Sequence, residues 1–172
     1  MKSLKFFLMA VVVIMIFGSC NSNDDGSYTP PITLYEKVNG SWTLTNLKMV
    51  DEFAKANGIE PNEQNIGSWF NYDTFQMNLE VNDQNEPTTY EVLGDVPLLF
   101  PPSGYWRLST DFQLTTPHPA KIFLYDDAQR TQLLETLNVT SVPGSNNQME
   151  VQLQRISGGA PFITYIFKLT SN

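Results

Sequence analysis

The sequence predicts an all-β domain of about eight antiparallel strands. Three observations indicate this class: apolar residues recur at every second position, clusters of Gly, Pro, Asn and Asp separate the apolar segments at short intervals, and only two short stretches have a helical pattern. Eight such strands bury one face each, either in a closed up-and-down barrel or in a two-sheet sandwich. The periodicity alone leaves both architectures open.

The first 19 residues predict a signal peptide. Lys2 and Lys5 precede an unbroken apolar run of 12 residues from Phe6 to Phe17, which is shorter than the roughly 20 residues that a membrane-spanning helix needs. Removal of this segment leaves 8 basic and 18 acidic residues, a net charge of −10. A chain this acidic is repelled by nucleic acid and by anionic lipid surfaces, so no nucleic-acid partner is expected.

Cys20 is the only cysteine, and it stands where the apolar run gives way to polar residues. With Gly18 and Ser19 in front of it, it resembles the lipobox of bacterial lipoproteins, whose cysteine is lipidated and becomes the first residue after cleavage. Residues 21–25 are similar to the acidic tether of many Bacteroidetes lipoproteins. The resemblance implies a lipid anchor in the outer membrane, on the cell surface or, alternatively, on the periplasmic face. A lone cysteine also excludes an internal disulfide.

Residues 20–33 are polar, contain a Pro-Pro pair and predict a flexible tether, and residues 34–172 predict a single β domain. Two segments of this domain alternate apolar and polar residues almost without exception, as half-buried strands require. These two strands are 74–81 and 148–155, and the other predicted strands are 41–49, 88–93, 105–109, 121–125, 136–142 and 162–169.

Two stretches predict short helical structure. Residues 51–58 contain apolar residues followed by a terminating Gly58, and residues 126–135 predict one turn that begins at an Asp cap.

The start of the first strand carries a family signature. Gly40-Ser41-Trp42 resembles the Gly-x-Trp motif of lipocalins, in which the glycine turns the chain into the barrel and the tryptophan plugs its closed end under a cation from the final strands. The resemblance implies that Arg155 or Lys168 supplies that cation. With the lipobox and the tether, the chain is similar to lipocalin-like lipoprotein domains of unknown function from Bacteroidetes. The expected fold is a lipocalin-like barrel, with the two-sheet sandwich as the alternative.

No catalytic residue, cofactor or metal site is predicted. His118 is the only imidazole and is fixed between two prolines, so a nucleophile, a base and an orienting group do not occur together. One histidine and a lipidated thiol also make a zinc site a poor expectation. The oxygen-rich turns around residues 83–86 and 126–127 lack the ligand density of a calcium loop and are interpreted as hairpin turns.

Aromatic clusters are the candidate ligand-binding residues. Trp69 and Tyr72 lie in one cluster, and Tyr105 and Trp106 lie beside Arg107 in another. Such side chains stack on sugar rings or line the mouth of an apolar pocket. In a strand, Tyr105 and Trp106 point to opposite faces, so at least one of them is expected to pack inside.

Three functions follow from these features. The first is a non-enzymatic binding module that holds a small apolar molecule or a glycan in or at the mouth of a barrel. The second is a structural subunit with a filled core that docks on an outer-membrane protein partner. The third is a glycoside-active enzyme, for which the sequence provides carboxylates but no distinctive pair. A ligand cavity favours the first function, and a packed interior with an exposed apolar patch favours the second.

Overall fold

The computed structural model describes residues 29–113 and 119–171. The chain divides into two compact units, Met1–Pro31 and Ile32–Asn172, and the second unit contains all the described strands. Four predictions fall wholly or largely outside the described residues: the signal peptide, the lipidated Cys20, the flexible tether of residues 20–33 and the position of His118.

Short helices and nine strands make up the described part of the second unit. The helices are α1 (Leu34–Val38) and α2 (Glu52–Ala56), and a 3₁₀ turn spans Tyr72–Thr74. The strands are β1 (Gly40–Asp51), β2 (Glu63–Asn65), β3 (Gln76–Val81), β4 (Pro87–Leu93), β5 (Ser103–Leu108), β6 (Ala120–Tyr125), β7 (Leu133–Ser141), β8 (Gln148–Ser157) and β9 (Ala160–Ser171).

Eight of these strands form a closed antiparallel barrel. From β3 to β9 each strand pairs with the next one along the chain, and β3 also pairs with the first residues of β1. The barrel closes because β1 pairs with β9 along its length, from Trp42↔Ser171 to Asp51↔Ile163. This pairing joins the two edges of the sheet. The predicted lipocalin-like barrel is therefore confirmed, and the alternative two-sheet sandwich is wrong.

Alternating burial explains why these segments form strands. Met77 and Leu79 of β3 are buried while their neighbours are not, and Met149, Val151 and Leu153 of β8 repeat the pattern. The side-chain period of a strand is two, so this spacing lines one face with apolar groups. The two strongest predicted strands are confirmed, and the other six overlap β1, β4, β5, β6, β7 and β9.

The interior of the barrel is filled by side chains. Every buried side-chain nitrogen or oxygen of the described residues has a hydrogen-bond partner, so no buried polar side chain among these residues is left unsatisfied. Its largest fully buried side chains are those of Trp42, Trp106, Tyr90, Phe167, Leu34, Leu47, Met77, Leu79, Ile122, Leu124, Leu137 and Met149.

Helix α1 covers the end of the barrel where β1 begins, which we call the closed end. A capping box starts the helix: the Thr33 hydroxyl accepts from the Glu36 amide, and the Glu36 carboxylate accepts from the Thr33 amide. Leu34 and Val38 are buried. The Trp42 indole lies beneath the helix and donates to the Val38 carbonyl at 2.8 Å. Trp42 therefore fills the closed end, although the sequence did not predict α1.

The opposite end, where β1 finishes, is the open end. Helix α2 begins there at Asp51, whose carboxylate accepts from the Ala54 amide at 2.8 Å, and it confirms the predicted helix within residues 51–58. The predicted helical turn at 126–135 is wrong. The Asp127 carboxylate accepts from the backbone amides of Thr131 and Gln132 and shapes a turn between β6 and β7 instead.

The helices of the described ranges are short. None of them combines the length and the apolar character that crossing a lipid bilayer requires.

Candidate functional site at the open end of the barrel

Residues 94–102, which we call the closing segment, connect β4 to β5 across the open end. Phe100 of this segment is buried, and its ring centroid lies 6.5 Å from that of Phe75 and 6.0 Å from that of Phe167. Phe75 precedes β3 and Phe167 lies on β9, so Phe100 reaches across the barrel and plugs its mouth.

Three side chains of the barrel hold the closing segment by its backbone carbonyls. The Tyr72 hydroxyl donates to the Pro97 carbonyl at 2.9 Å, and the Tyr90 hydroxyl donates to the Pro101 carbonyl at 3.1 Å. The Arg155 guanidinium donates to the Leu99 carbonyl. The three prolines of this segment cannot donate from their backbone nitrogens, whereas the Asp95 amide donates to the Thr74 hydroxyl at 3.1 Å.

Arg155 is oriented by a second contact. Its Nη1 lies 2.7 Å from Oε2 of Glu135 on β7, and both side chains are partly exposed to solvent. A charge-assisted hydrogen bond of this kind fixes the planar guanidinium more firmly than a neutral one does. The pair thus anchors the closing segment to β7 and β8.

A glycine allows the closing segment to leave β4. Gly94 has φ +110°, and a Cβ at this position would lie 2.5 Å from the Thr74 carbonyl oxygen. No other residue fits there without displacing the backbone.

Beneath the closing segment lies a small apolar pocket. Its volume is about 10 Å³, the space of about one water molecule. It is lined by Tyr72, Phe75, Val92, Val96, Pro97, Leu98, Leu99, Phe100 and Phe167.

Exposed apolar side chains concentrate at the open end. Of the eleven large hydrophobic side chains that are exposed in the described part of the chain, only Ile32 and Phe112 lie at the closed end. Scattered exposed apolar residues are ordinary, whereas a group at one end of a domain marks a contact surface. The other nine, which we call the apolar rim, are Phe53, Ile59, Trp69, Phe70, Leu93, Leu98, Leu133, Ile156 and Phe162.

The predicted ligand-binding residues separate into two places. Trp69 belongs to the apolar rim, and Tyr72 is buried under the closing segment in the same connection between β2 and β3. Tyr105, Trp106 and Arg107 lie on β5 and do not join them. Trp106 points into the core and donates from its indole to the Glu80 carbonyl at 2.9 Å, so the expected split of Tyr105 and Trp106 between two faces is found.

Arg107 lies on the outer face of the barrel. Its guanidinium carbon is 5.6 Å from the centroid of the Phe123 ring and 5.5 Å from that of Tyr125. Its Nε donates to the Tyr125 hydroxyl at 2.8 Å. These contacts are cation–π packing on the sheet surface, and they place Arg107 away from the mouth.

The cation that the lipocalin resemblance implies does not lie over Trp42. Arg155 pairs with Ile163, which pairs with Asp51 at the far end of β1, so the strand register places Arg155 at the open end. Lys168 is exposed and pairs with Glu150 and Asn46 near the middle of the wall. Gly40 has φ +125° at the start of β1, a conformation that favours glycine.

The oxygen-rich turns act as turns. Backbone hydrogen bonds from Gln132 and Thr131 hold the pKa of Asp127 below its ordinary value, and Asn82 accepts from the amides of Gln84 and Glu86. Within the described ranges, no three His, Cys, Asp or Glu side chains come together as metal ligands would.

The sequence did not predict the role of the closing segment. Its signal is the apolar run Leu98–Phe100 between Pro97 and Pro101, which is too short for a strand and too apolar for an exposed loop. The carbonyl contacts of Tyr72, Tyr90 and Arg155 depend on tertiary structure and leave no local pattern.

The fold and the open end define an eight-stranded meander barrel of lipocalin-like build, with a filled interior and an apolar rim. The chain belongs to a family described as a domain of unknown function (DUF5004), whose model matches residues 19–170. No curated protein and no solved structure matches the chain.

Alkaline pH is expected to loosen the closing segment through Tyr90. Burial, and to a lesser degree Asp126, raises the pKa of Tyr90 to about 12 from its ordinary value of 10.0. Between the two pKa values the unfolded chain loses a proton that the folded chain keeps. The contribution of Tyr90 to the free energy of unfolding is therefore fully present below the unfolded pKa and is lost as pH rises towards the folded pKa. Tyr90→Phe removes this ionisation and should reduce the fall.

Urea unfolding of both proteins at about pH 9 and about pH 11 measures the difference. Tyr72→Phe is a second variant, since burial also raises the pKa of Tyr72. An equal fall in all three proteins contradicts the prediction.

Proposed function

We propose that the protein is a lipid-anchored, non-enzymatic envelope protein whose open end docks on an apolar surface of an outer-membrane protein. The observation that carries the proposal is the apolar rim, which gathers nine of the eleven exposed large hydrophobic side chains of the described residues at one end of the barrel. Burial of apolar area is the main favourable term when proteins associate.

The packed interior also supports a docking role. A drug-sized ligand occupies a pocket of roughly 300 Å³ or more, whereas the apolar pocket under the closing segment has about 10 Å³. A binding function therefore has to use an outer surface, unless the closing segment moves. Aromatic residues such as Trp69, Phe70 and Phe162 provide large contact areas at low entropic cost.

The sequence before the barrel supports attachment to a membrane through lipid. The lipobox resemblance and the acidic residues after Cys20 favour an outer-membrane lipoprotein of the Bacteroidetes type, facing the cell surface. The net charge of −8 leaves lipid, rather than a basic face, as the means of attachment.

Photo-crosslinking from the apolar rim tests the docking surface. A benzoylphenylalanine in place of Phe162, the third residue of β9, is expected to form a covalent adduct with a specific envelope protein in the native host. The matched control is Phe112 at the closed end, which is similarly exposed at 48% against 44% for Phe162. Mass spectrometry of the adducts identifies the partner.

The same adducts at both positions, or none from position 162, contradict the docking proposal. Adducts from position 162 alone, with one recurring partner, support it.

Lipidation of Cys20 is tested separately in the full chain. Labelled palmitate is expected to enter the wild-type protein and to be absent from Cys20→Ala, which should also leave the membrane fraction. Absence of label from the wild-type protein contradicts the lipid anchor. The docking surface is then tested by the crosslinking experiment alone.

A second candidate function is the binding of a small apolar ligand beneath the closing segment. The observation that favours it is the uniformly apolar lining of the pocket, in which the one polar group, the Tyr72 hydroxyl, is engaged by Pro97. Binding would require Phe100 to swing out of the mouth and vacate its site between Phe75 and Phe167.

Truncation of the plug tests this candidate. Phe100→Ala is expected to lower the free energy of unfolding by about 3–5 kcal/mol and to leave a cavity, into which the neutral dye N-phenyl-1-naphthylamine binds with a saturable rise in fluorescence. Palmitate should displace the dye from Phe100→Ala. The wild type is expected to bind the dye only at higher dye concentrations, and palmitate should displace it there as well. Phe53→Ala, an exposed aromatic truncation on α2, is the control. Absence of saturable binding in wild type and Phe100→Ala contradicts the candidate.

A further inference from the structure

The wall of the barrel has an opening beside β1. Strand β3 pairs with Gly40–Thr43, and β2 pairs with Lys48–Val50. Since β9 occupies the other edge of β1, β2 and β3 share a single edge and leave a gap between them. Two backbone bonds border the gap, from Leu44 to Phe75 and from Ile66 to Leu47.

A polar cleft of about 260 Å³ occupies this gap. Gly67 forms part of its floor, because a Cβ there would lie 3.1 Å from the Leu47 amide nitrogen. A side chain at this position would have to push the β1 backbone outward by a few tenths of an ångström. The cleft is lined by Leu44, Thr45, Asn46, Asn65, Gly67, Ser68 and Asp73.

Uncharged donors and acceptors dominate the lining. It contains two amides, two hydroxyls and one carboxylate, and no basic side chain. Asn65 accepts from the Gly67 amide at 3.0 Å, and Thr45 donates to the Lys168 carbonyl at 3.0 Å. The side chains of Asn46, Ser68 and Asp73 make no hydrogen bond to another described residue, so a ligand can use their full capacity.

An aromatic pair follows the cleft directly in the chain. Trp69 comes next to Ser68 of the lining and is 45% exposed, and its ring meets that of Phe70 edge to face at 6.4 Å. Phe70 and Asn71 both have positive φ, at 55° and 62°. Asparagine tolerates this conformation, whereas an aromatic residue such as Phe70 adopts it rarely.

A second polar cleft adjoins the first one. It has about 170 Å³ and shares Thr45 with the first cleft. Thr45 is the residue where the register of β1 and β9 shifts, and such a bulge redirects the local side chains. The second cleft is lined by Thr45, Ser141, Gln148, Met149, Glu150, Lys168 and Leu169.

We propose that these two clefts bind a neutral oligosaccharide. Paired hydroxyls of a sugar match the amide and carboxylate groups of Asn46, Asn65 and Asp73, and the apolar face of a sugar ring stacks on an exposed indole such as Trp69. Two clefts that share Thr45 suit a chain of sugar rings better than a single ring. The acidic net charge of −8 disfavours an anionic ligand.

This site goes beyond the proposed docking function, although it shares Trp69 with the apolar rim. The clefts lie on the outer wall around Thr45, whereas the crosslinking position Phe162 lies on the hairpin that joins β8 to β9. A glycan result therefore neither supports nor contradicts the crosslinking result.

Affinity electrophoresis of the full chain with Cys20→Ala tests the site. Neutral polysaccharides in the gel (dextran, xyloglucan, mannan) should retard the protein in at least one case, while polygalacturonate should not. Trp69→Ala and Asp73→Asn are expected to weaken the retardation at least about tenfold. The matched controls are Phe112→Ala and Asp83→Asn, which change exposed residues at the closed end and should migrate like the parent protein.

Thermal unfolding verifies that all four variants remain folded. Three outcomes overturn the proposal: no retardation by any neutral polysaccharide, equal retardation of the cleft variants and their controls, or retardation by polygalacturonate alone.

Discussion

The hydrogen bonds between β1 and β9 determine the shape of this molecule. They use one whole edge of β1 and close the barrel, so only the other edge remains for β2 and β3. Because β2 and β3 pair with different parts of the same edge of β1, a gap remains between them. The polar cleft beside Thr45 occupies this gap. The same crowding sends the β2–β3 connection, with its exposed aromatic residues, along the outside of the barrel at its open end.

The filled interior leaves room for a ligand or partner only on the outer surface, unless the closing segment moves. A lipocalin-like barrel has room for side chains or for one small ligand, but not for both. Large residues such as Trp106, Phe167 and Met149 occupy that space, and Phe100 closes its mouth. The apolar rim and the polar clefts differ in their chemistry. Exposed apolar groups favour contact with another protein, and polar side chains with free hydrogen-bonding capacity favour a hydroxyl-rich ligand.

The sequence predicts the strands because each strand has one buried face, and this constraint is local and periodic. The Gly40-Ser41-Trp42 motif is visible in the sequence because its residues are contiguous. Elements without a pattern were missed: β2 has three exposed residues, and α1 is too short to show a helical period. The prediction of a helical turn at residues 126–135 was wrong because the Asp127 carboxylate accepts from the amides of Thr131 and Gln132 and forms a turn instead. The partner of Arg155 depends on strand register, which residue types alone do not specify.

The attachment of residues 94–102 to the barrel has an evolutionary consequence. Tyr72, Tyr90 and Arg155 grasp carbonyl oxygens, which every amino acid possesses. Substitutions at the gripped positions would keep these bonds, provided that the backbone path and the Phe100 plug persist. The outward side chains of the closing segment can therefore vary among related chains while its hydrogen bonds to the barrel are kept. Variable loops on a constant framework follow the same principle.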